Sequence, residues 1–169
     1  MKMITGKNTR NTLLGLLLVG SVSYATAQTS VKPAVQAQVT QQQPQQDNEA
    51  LVKQAQEFQE QQDWKSALDT WKKIETSLPD WAPVYYSEGY VYQNMKDNAN
   101  AKIAYEKYLE KVKPEEIEAS KKNLAYAHFF VAYSNFETNK EEAKKHIAKS
   151  LEYNPTNQDA QNLSKSLNP

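Results

Sequence analysis

The chain has no cysteine, one arginine (Arg10) and four glycines, three of which fall in the first twenty residues. The lack of thiols excludes disulfides, thiolate metal ligands and a cysteine nucleophile. Beyond Arg10 there is no guanidinium for bidentate recognition of phosphate or guanine, so nucleic acid is not an expected partner. A single glycine after the first twenty residues, Gly89, leaves no Gly-rich loop to cradle phosphate. The two histidines, His128 and His146, stand 18 residues apart with no cysteine partners, and their expected role is structural. Long apolar runs are also lacking, because Leu13 to Val22 is too short to span a bilayer. No nucleophile, phosphate loop or metal set can be assembled from local motifs, so the expectation is a non-catalytic protein with neither cofactor nor metal.

What is present begins with a basic segment (Lys2, Lys7, Arg10), that short apolar run, and Ala25-Thr26-Ala27. These are the parts of a secretory signal peptide over residues 1–27, which implies export, periplasmic or fully secreted. Without it, 17 basic residues face 20 acidic ones, too weak an imbalance for electrostatic steering. Residues 28–47 are rich in Gln, Val, Thr, Ala and Pro and have no aromatic residue. They cannot bury enough surface to offset their ordering entropy and are expected to form a disordered linker, with a short polar helix after Pro44 as the alternative.

From Asn48 onward the punctuation is helical. Asp63, Asp80 and Asp97 each precede a stretch of about fourteen helix-compatible residues, and Asn139 to Glu142 has the spacing of a capping box. No run alternates at the strand period. Ala67-x3-Trp71 and Ala101-x3-Tyr105 are 34 residues apart, each followed by a proline, Pro79 and Pro114. Leu51-x2-Gln54-Ala55-x2-Phe58 and Tyr85-x2-Glu88-Gly89-x2-Tyr92 are also 34 apart, and Ala143-x3-Ile147 with Pro155 supplies a third, less regular copy.

The joint recurrence of these positions resembles the tetratricopeptide repeat, with Gln54 and Glu88 where that family usually has leucine. The resemblance implies an all-α solenoid over residues 48–169: repeats at about 48–81, 82–115 and 116–155, and a capping helix at 156–169. In the third unit, matching Tyr133-Ser134-Asn135-Phe136 to Tyr92-Gln93-Asn94-Met95 requires one inserted residue before Ala143 and places Phe130 opposite Gly89. Gly89 is expected where two helices press together, with Ala67 and Ala101 as small partners on the facing helices.

Most aromatic residues read as core. Tyr86 and Tyr90, four apart on one helix, fall off the face that carries Gly89 and Tyr92, where such repeats line a concave groove. Homologous spacing extends the expected groove to Val52, Gln56, Gln59 and Glu60, then Gln93 and Asn94, then Ser134 and Asn135. Some members of the family clamp a peptide's C-terminal carboxylate with lysines and asparagines there; Val52 and Gln56 stand here instead. A groove of amides and tyrosines suits an extended peptide, because an amide both donates and accepts. The expected function is therefore a protein- or peptide-binding adaptor of the bacterial cell envelope. The alternatives are a structural or self-associating envelope component, with Val52 and Trp81 near the open ends, and a glycan-binding module using Trp64, Trp71 or Trp81.

Overall fold

A computed structural model of the chain describes residues 36–168, with side chains from residue 47. The expected signal peptide and the first part of the expected linker lie outside the described residues. Seven helices follow in order: α1 (Gln36–Glu60), α2 (Trp64–Ser77), α3 (Ala82–Asn94), α4 (Asn98–Lys111), α5 (Ile117–Asn135), α6 (Lys140–Tyr153) and α7 (Gln158–Leu167), with a 3₁₀ turn at Pro114–Glu116 before α5. There is no strand among the described residues. α1 starts inside the glutamine-rich segment rather than at Asn48, which fits the good helix propensity of glutamine and alanine. No helix among the described residues is long and apolar enough to cross a membrane.

Four helices open on side chains that accept a backbone N–H two or three residues into the first turn. Asp63 accepts from Ser66, Asp97 from Asn100, Asn139 from Glu142 and Asn157 from Ala160. Each such cap contributes about 1 kcal/mol. α3 differs: its cap is Trp81, which makes no side-chain capping bond, while Pro83 sits in the first turn. Asp80, the expected cap, instead pairs with Lys111 of α4 at 2.7 Å.

Each helix packs chiefly on the one before it and the one after it, as in a solenoid. The main core joins Trp71 and Ile74 of α2, Val84, Tyr85 and Val91 of α3, and Tyr105 and Tyr108 of α4. It continues into α5 through Leu124, Ala127 and Val131. A smaller cluster of Ala132, Ala143, Ile147, Ala160 and Leu167 binds α5, α6 and α7. The opposite face of α7 is polar and exposed.

The turns set the register. Between α1 and α2, Asp63 N–H donates to Phe58 and Gln62 N–H to Gln59; between α3 and α4, Asp97 N–H donates to Tyr92 and Lys96 N–H to Gln93. This paired bonding needs a residue in the left-handed region, and Gln62 (φ 58°) and Lys96 (φ 64°) supply it. The third turn is tighter: Asn139 N–H donates to Asn135, one residue closer, and no residue of that turn has positive φ. The third unit is thus one residue shorter at its turn, not longer. Ala132, fully buried beside Ala143 and Ile147, takes the place of Gly89. Phe130 turns the other way, its ring 5.0 Å from that of Tyr105 on α4.

Gly89 marks a close approach between α3 and α4. A Cβ built there would lie 2.8 Å from the Tyr105 ring, so the facing group is an aromatic ring rather than the small side chains of Ala67 and Ala101. Next to it, Glu88 is almost completely buried and bonds Lys72 of α2 at 2.7 Å, with Glu75 completing a three-residue ionic group. Burial raises the Glu88 carboxyl above the ordinary range, partly offset by Lys72. Burial alone would lower the Lys72 ammonium, but the carboxylates of Glu75 and Glu88 outweigh it and hold the lysine charged.

Candidate functional site

The first helices of successive units share one face of the stack, and their side chains form two crevices on it. In the first, of about 310 Å³, Gln56, Gln59 and Glu60 of α1 meet Tyr90 of α3. In the second, of about 190 Å³, Tyr86 of α3 meets Lys122, Ala125 and Tyr126 of α5 and Asn154 and Asn157 of the segment before α7.

Two glutamines at the same position of successive units are tied to the core in the same way. Trp71 Nε1 donates to Gln59 Oε1 at 2.6 Å, and Tyr105 and Tyr126 donate their hydroxyls to Gln93 Oε1 at 3.2 and 2.8 Å. Gln59 and Gln93 are 34 residues apart, as are Trp71 and Tyr105. Indole N–H can only donate, so the Gln59 oxygen must face inward and its NH₂ outward. The crevice therefore presents a fixed amide donor beside an exposed tyrosine.

The two tyrosines divide their tasks differently from the sequence expectation. Tyr90 is 41% exposed and leans edge-on against Trp64, ring centroids 6.1 Å apart. Tyr86 is half-buried among Tyr105, Tyr108 and Tyr126, with edge-to-face centroid distances of 5.5, 5.2 and 6.4 Å. Each such pair adds about 0.5–1.5 kcal/mol beyond area burial. Burial pushes the Tyr86 hydroxyl up to about 12, helped by the neighbouring Tyr126, Tyr108 and Tyr90, so it stays protonated.

Other expected groove residues are placed elsewhere. Val52 is half-buried against the core. Asn94 folds back to donate to Tyr90 O at 2.8 Å. Ser134 donates to Phe130 O and faces α4. Asn135 is buried and accepts from Lys102 Nζ at 2.9 Å. Both departures in the third unit follow from the shorter turn, which shifts the α5 register two positions from the expected one and rotates Ser134 and Asn135 inward. On the inner face α5 instead presents Phe129 and Tyr133, the counterparts of Tyr86 and Tyr90, stacked at 6.4 Å, with Tyr133 64% exposed. The signal for this register lay in the small residue Ala132, the counterpart of Ala55 and Gly89.

The structure also joins the two histidines. His128 Nδ1 and His146 Nδ1 are 2.9 Å apart across α5 and α6, and His146 Nε2 is 3.4 Å from Glu142. No group of three or more potential metal-ligating His, Cys, Asp or Glu residues occurs among the described residues. Trp71 is buried and unavailable as a stacking platform, while Trp64 and Trp81 are partly buried against the core.

No protein-family model and no curated protein sequence matches the chain. Solved structures do. The first tetratricopeptide domain of Spaghetti (RPAP3), bound to the HSP90 peptide SRMEEVD, is 20% identical, with a TM-score of 0.56 over 72% of this chain and 90% of that one. The fold is that of a tetratricopeptide array. The Arabidopsis OM64 tetratricopeptide domain is 16% identical, with a TM-score of 0.57 over 74% of this chain and 97% of that one. The first tetratricopeptide domain of human RPAP3, solved by NMR, is 20% identical at a TM-score of 0.52, covering 71% and 88%. The array here keeps the helix order and departs from the usual leucine with the buried Glu88.

Proposed function

We propose that the chain is a non-catalytic adaptor that binds an extended, largely uncharged polypeptide segment across the inner face of the array. The observation that carries this reading is the repeated tie from the core to Gln59 and Gln93. It pins two amides at equivalent positions of successive units, 34 residues apart in sequence, with Gln59 beside the exposed Tyr90. An inward-held carbonyl and outward NH₂ suit the carbonyl oxygens of a peptide backbone, and tyrosine adds area at low entropic cost. The peptide bound to the Spaghetti domain lends support as a structural parallel. Export to a bacterial envelope, periplasmic or secreted, is part of the proposal and rests on the leader-like residues 1–27 alone.

Polypeptides captured on the full chain from an extract of the cells that make it test this reading. The Gln56→Ala, Tyr90→Ala double variant should weaken capture about tenfold, which corresponds to about 1.4 kcal/mol. Asp69→Ala, on the outward face of α2, should change nothing. Equal capture by all three proteins would remove the inner face from the account.

A further inference from the structure

A further crevice lies outside the two just described. It measures about 630 Å³ and is lined by Asn98, Ala99 and Lys102 of α4, by Phe130, Tyr133 and Ser134 at the end of α5, and by Phe136 and Glu137 of the turn that follows. That volume falls in the range of about 300–1,000 Å³ typical of small-molecule sites.

The preceding unit shows what such a crevice holds when it is filled. Trp64 and Asn98 are equivalent, each being the first residue of its helix, directly after the capping Asp63 or Asp97. Tyr90 and Tyr133 are equivalent through Gly89 and Ala132, each the exposed residue following a buried pair. Where Trp64 leans edge-on against Tyr90, Asn98 leaves Tyr133 without an aromatic partner from α4. Leu68, packed against the core, has Lys102 as its counterpart, which widens the opening further. The floor remains aromatic, because Phe130 is buried beneath it.

Charge at the mouth selects the flank. The Lys102 ammonium is engaged by Asn135 at 2.9 Å and by Glu106 at 3.6 Å. Glu137 is exposed and has no ion pair among the described residues. The mouth therefore carries an unbalanced negative charge.

We infer that this crevice is an anchor site for an aromatic side chain of a partner polypeptide, an indole above all, carried beside a lysine or arginine. The ring lies against Tyr133 as Trp64 lies against Tyr90, and the flanking cation meets Glu137. This site goes beyond the inner-face reading: it does not use the Gln59 and Gln93 amides, although Tyr133 borders both surfaces.

Tryptamine, an indole with an ammonium group, is the probe, read by amide chemical shifts of the isotope-labelled full chain. Saturable shifts are expected at Asn98, Ala99 and Ser134, weaker ones with indole-3-acetate, and none with butylamine. Asn98→Trp supplies the missing ring from within, so it should raise the melting temperature and weaken tryptamine binding about tenfold or more, a change of about 1.4 kcal/mol. Tyr133→Ala, at a largely exposed position, should weaken binding without loss of helicity and serves if Asn98→Trp does not fold. The inference is overturned if tryptamine gives no saturable shift at these amides, if the folded variants bind as the unaltered chain does, or if indole-3-acetate binds as tightly as tryptamine. Tyr133 borders both surfaces, so the two readings are separated by Asn98→Trp, which alters only the crevice, and by the Gln56→Ala, Tyr90→Ala variant, which alters only the inner face.

Discussion

At Gly89 a hydrogen in place of a side chain lets the Tyr105 ring close to a distance that no Cβ tolerates. Glycine in a helix interior sacrifices about 1 kcal/mol relative to alanine, so alanine would be favoured if the space were open. It is not open, because Tyr105 is fully buried and fixed by Tyr86, Tyr126 and Phe130. Gly89→Ala is therefore expected to lower the urea midpoint, with overpacking of about 1 to 3 kcal/mol exceeding the propensity gain, and Gly89→Leu to lower it further. A rise in the midpoint for Gly89→Ala would mean that the ring is not held there. The sequence showed that Gly89 marks a close helix approach, and the 34-residue spacing placed it. It could not show which side chain approaches, since two alanines and a tyrosine all lie within reach on the facing helices. Glu88 was legible only as a departure from the usual leucine; that it would be buried depended on Lys72, sixteen residues earlier on another helix, being able to reach it.

At the scale of elements, the caps and helix limits were legible because short-range chemistry sets them. Asp63, Asp97, Asn139 and Asn157 each bond within their own first turn. Asp80 misled because a tertiary partner, Lys111, claims its carboxylate. The third register was not legible from the turn sequence, since Asn139 can cap after either turn length. The face that results brings His128 and His146 together between α5 and α6. His128 also faces Lys149, Glu152 and the Tyr153 ring, and His146 faces Glu142, Glu106 and Lys102. Burial lowers both imidazoles, His128 to about 4 with His146 and Lys149 assisting. At 2.9 Å the two Nδ1 atoms share one proton, so charging both rings sets two N–H groups against each other. The native state then binds fewer protons than the unfolded chain between pH 6.5 and about 4, and the stability present above 6.5 is lost as pH falls through that window. Unfolding by urea at pH 7 and pH 5 should show a loss of about 2 kcal/mol from His128. His128→Phe should remove most of that loss while keeping the stack on Tyr153. An unchanged loss in the variant would assign the pH dependence to other groups.

At the scale of the whole molecule, all-α architecture and the number of helices followed from the repeat, because nearest-neighbour stacking makes each unit's fate depend on its own pattern and on the next. The inner face followed only in part. Gln56, Gln59, Glu60 and Tyr90 converge as the spacing implied, whereas the α5 contribution passed from Ser134 and Asn135 to Lys122, Tyr126, Phe129 and Tyr133. Whether that face is the binding surface is tested most directly by placing a photo-crosslinking amino acid at single positions of the full chain. Gln56 and Tyr133 report on the inner face, and Ile103 and Glu110 of α4 on the opposite one. Illumination in the producing cells should give discrete polypeptide adducts from Gln56 and Tyr133 and none from Ile103 or Glu110. Adducts confined to Ile103 and Glu110 would contradict the assignment of the inner face.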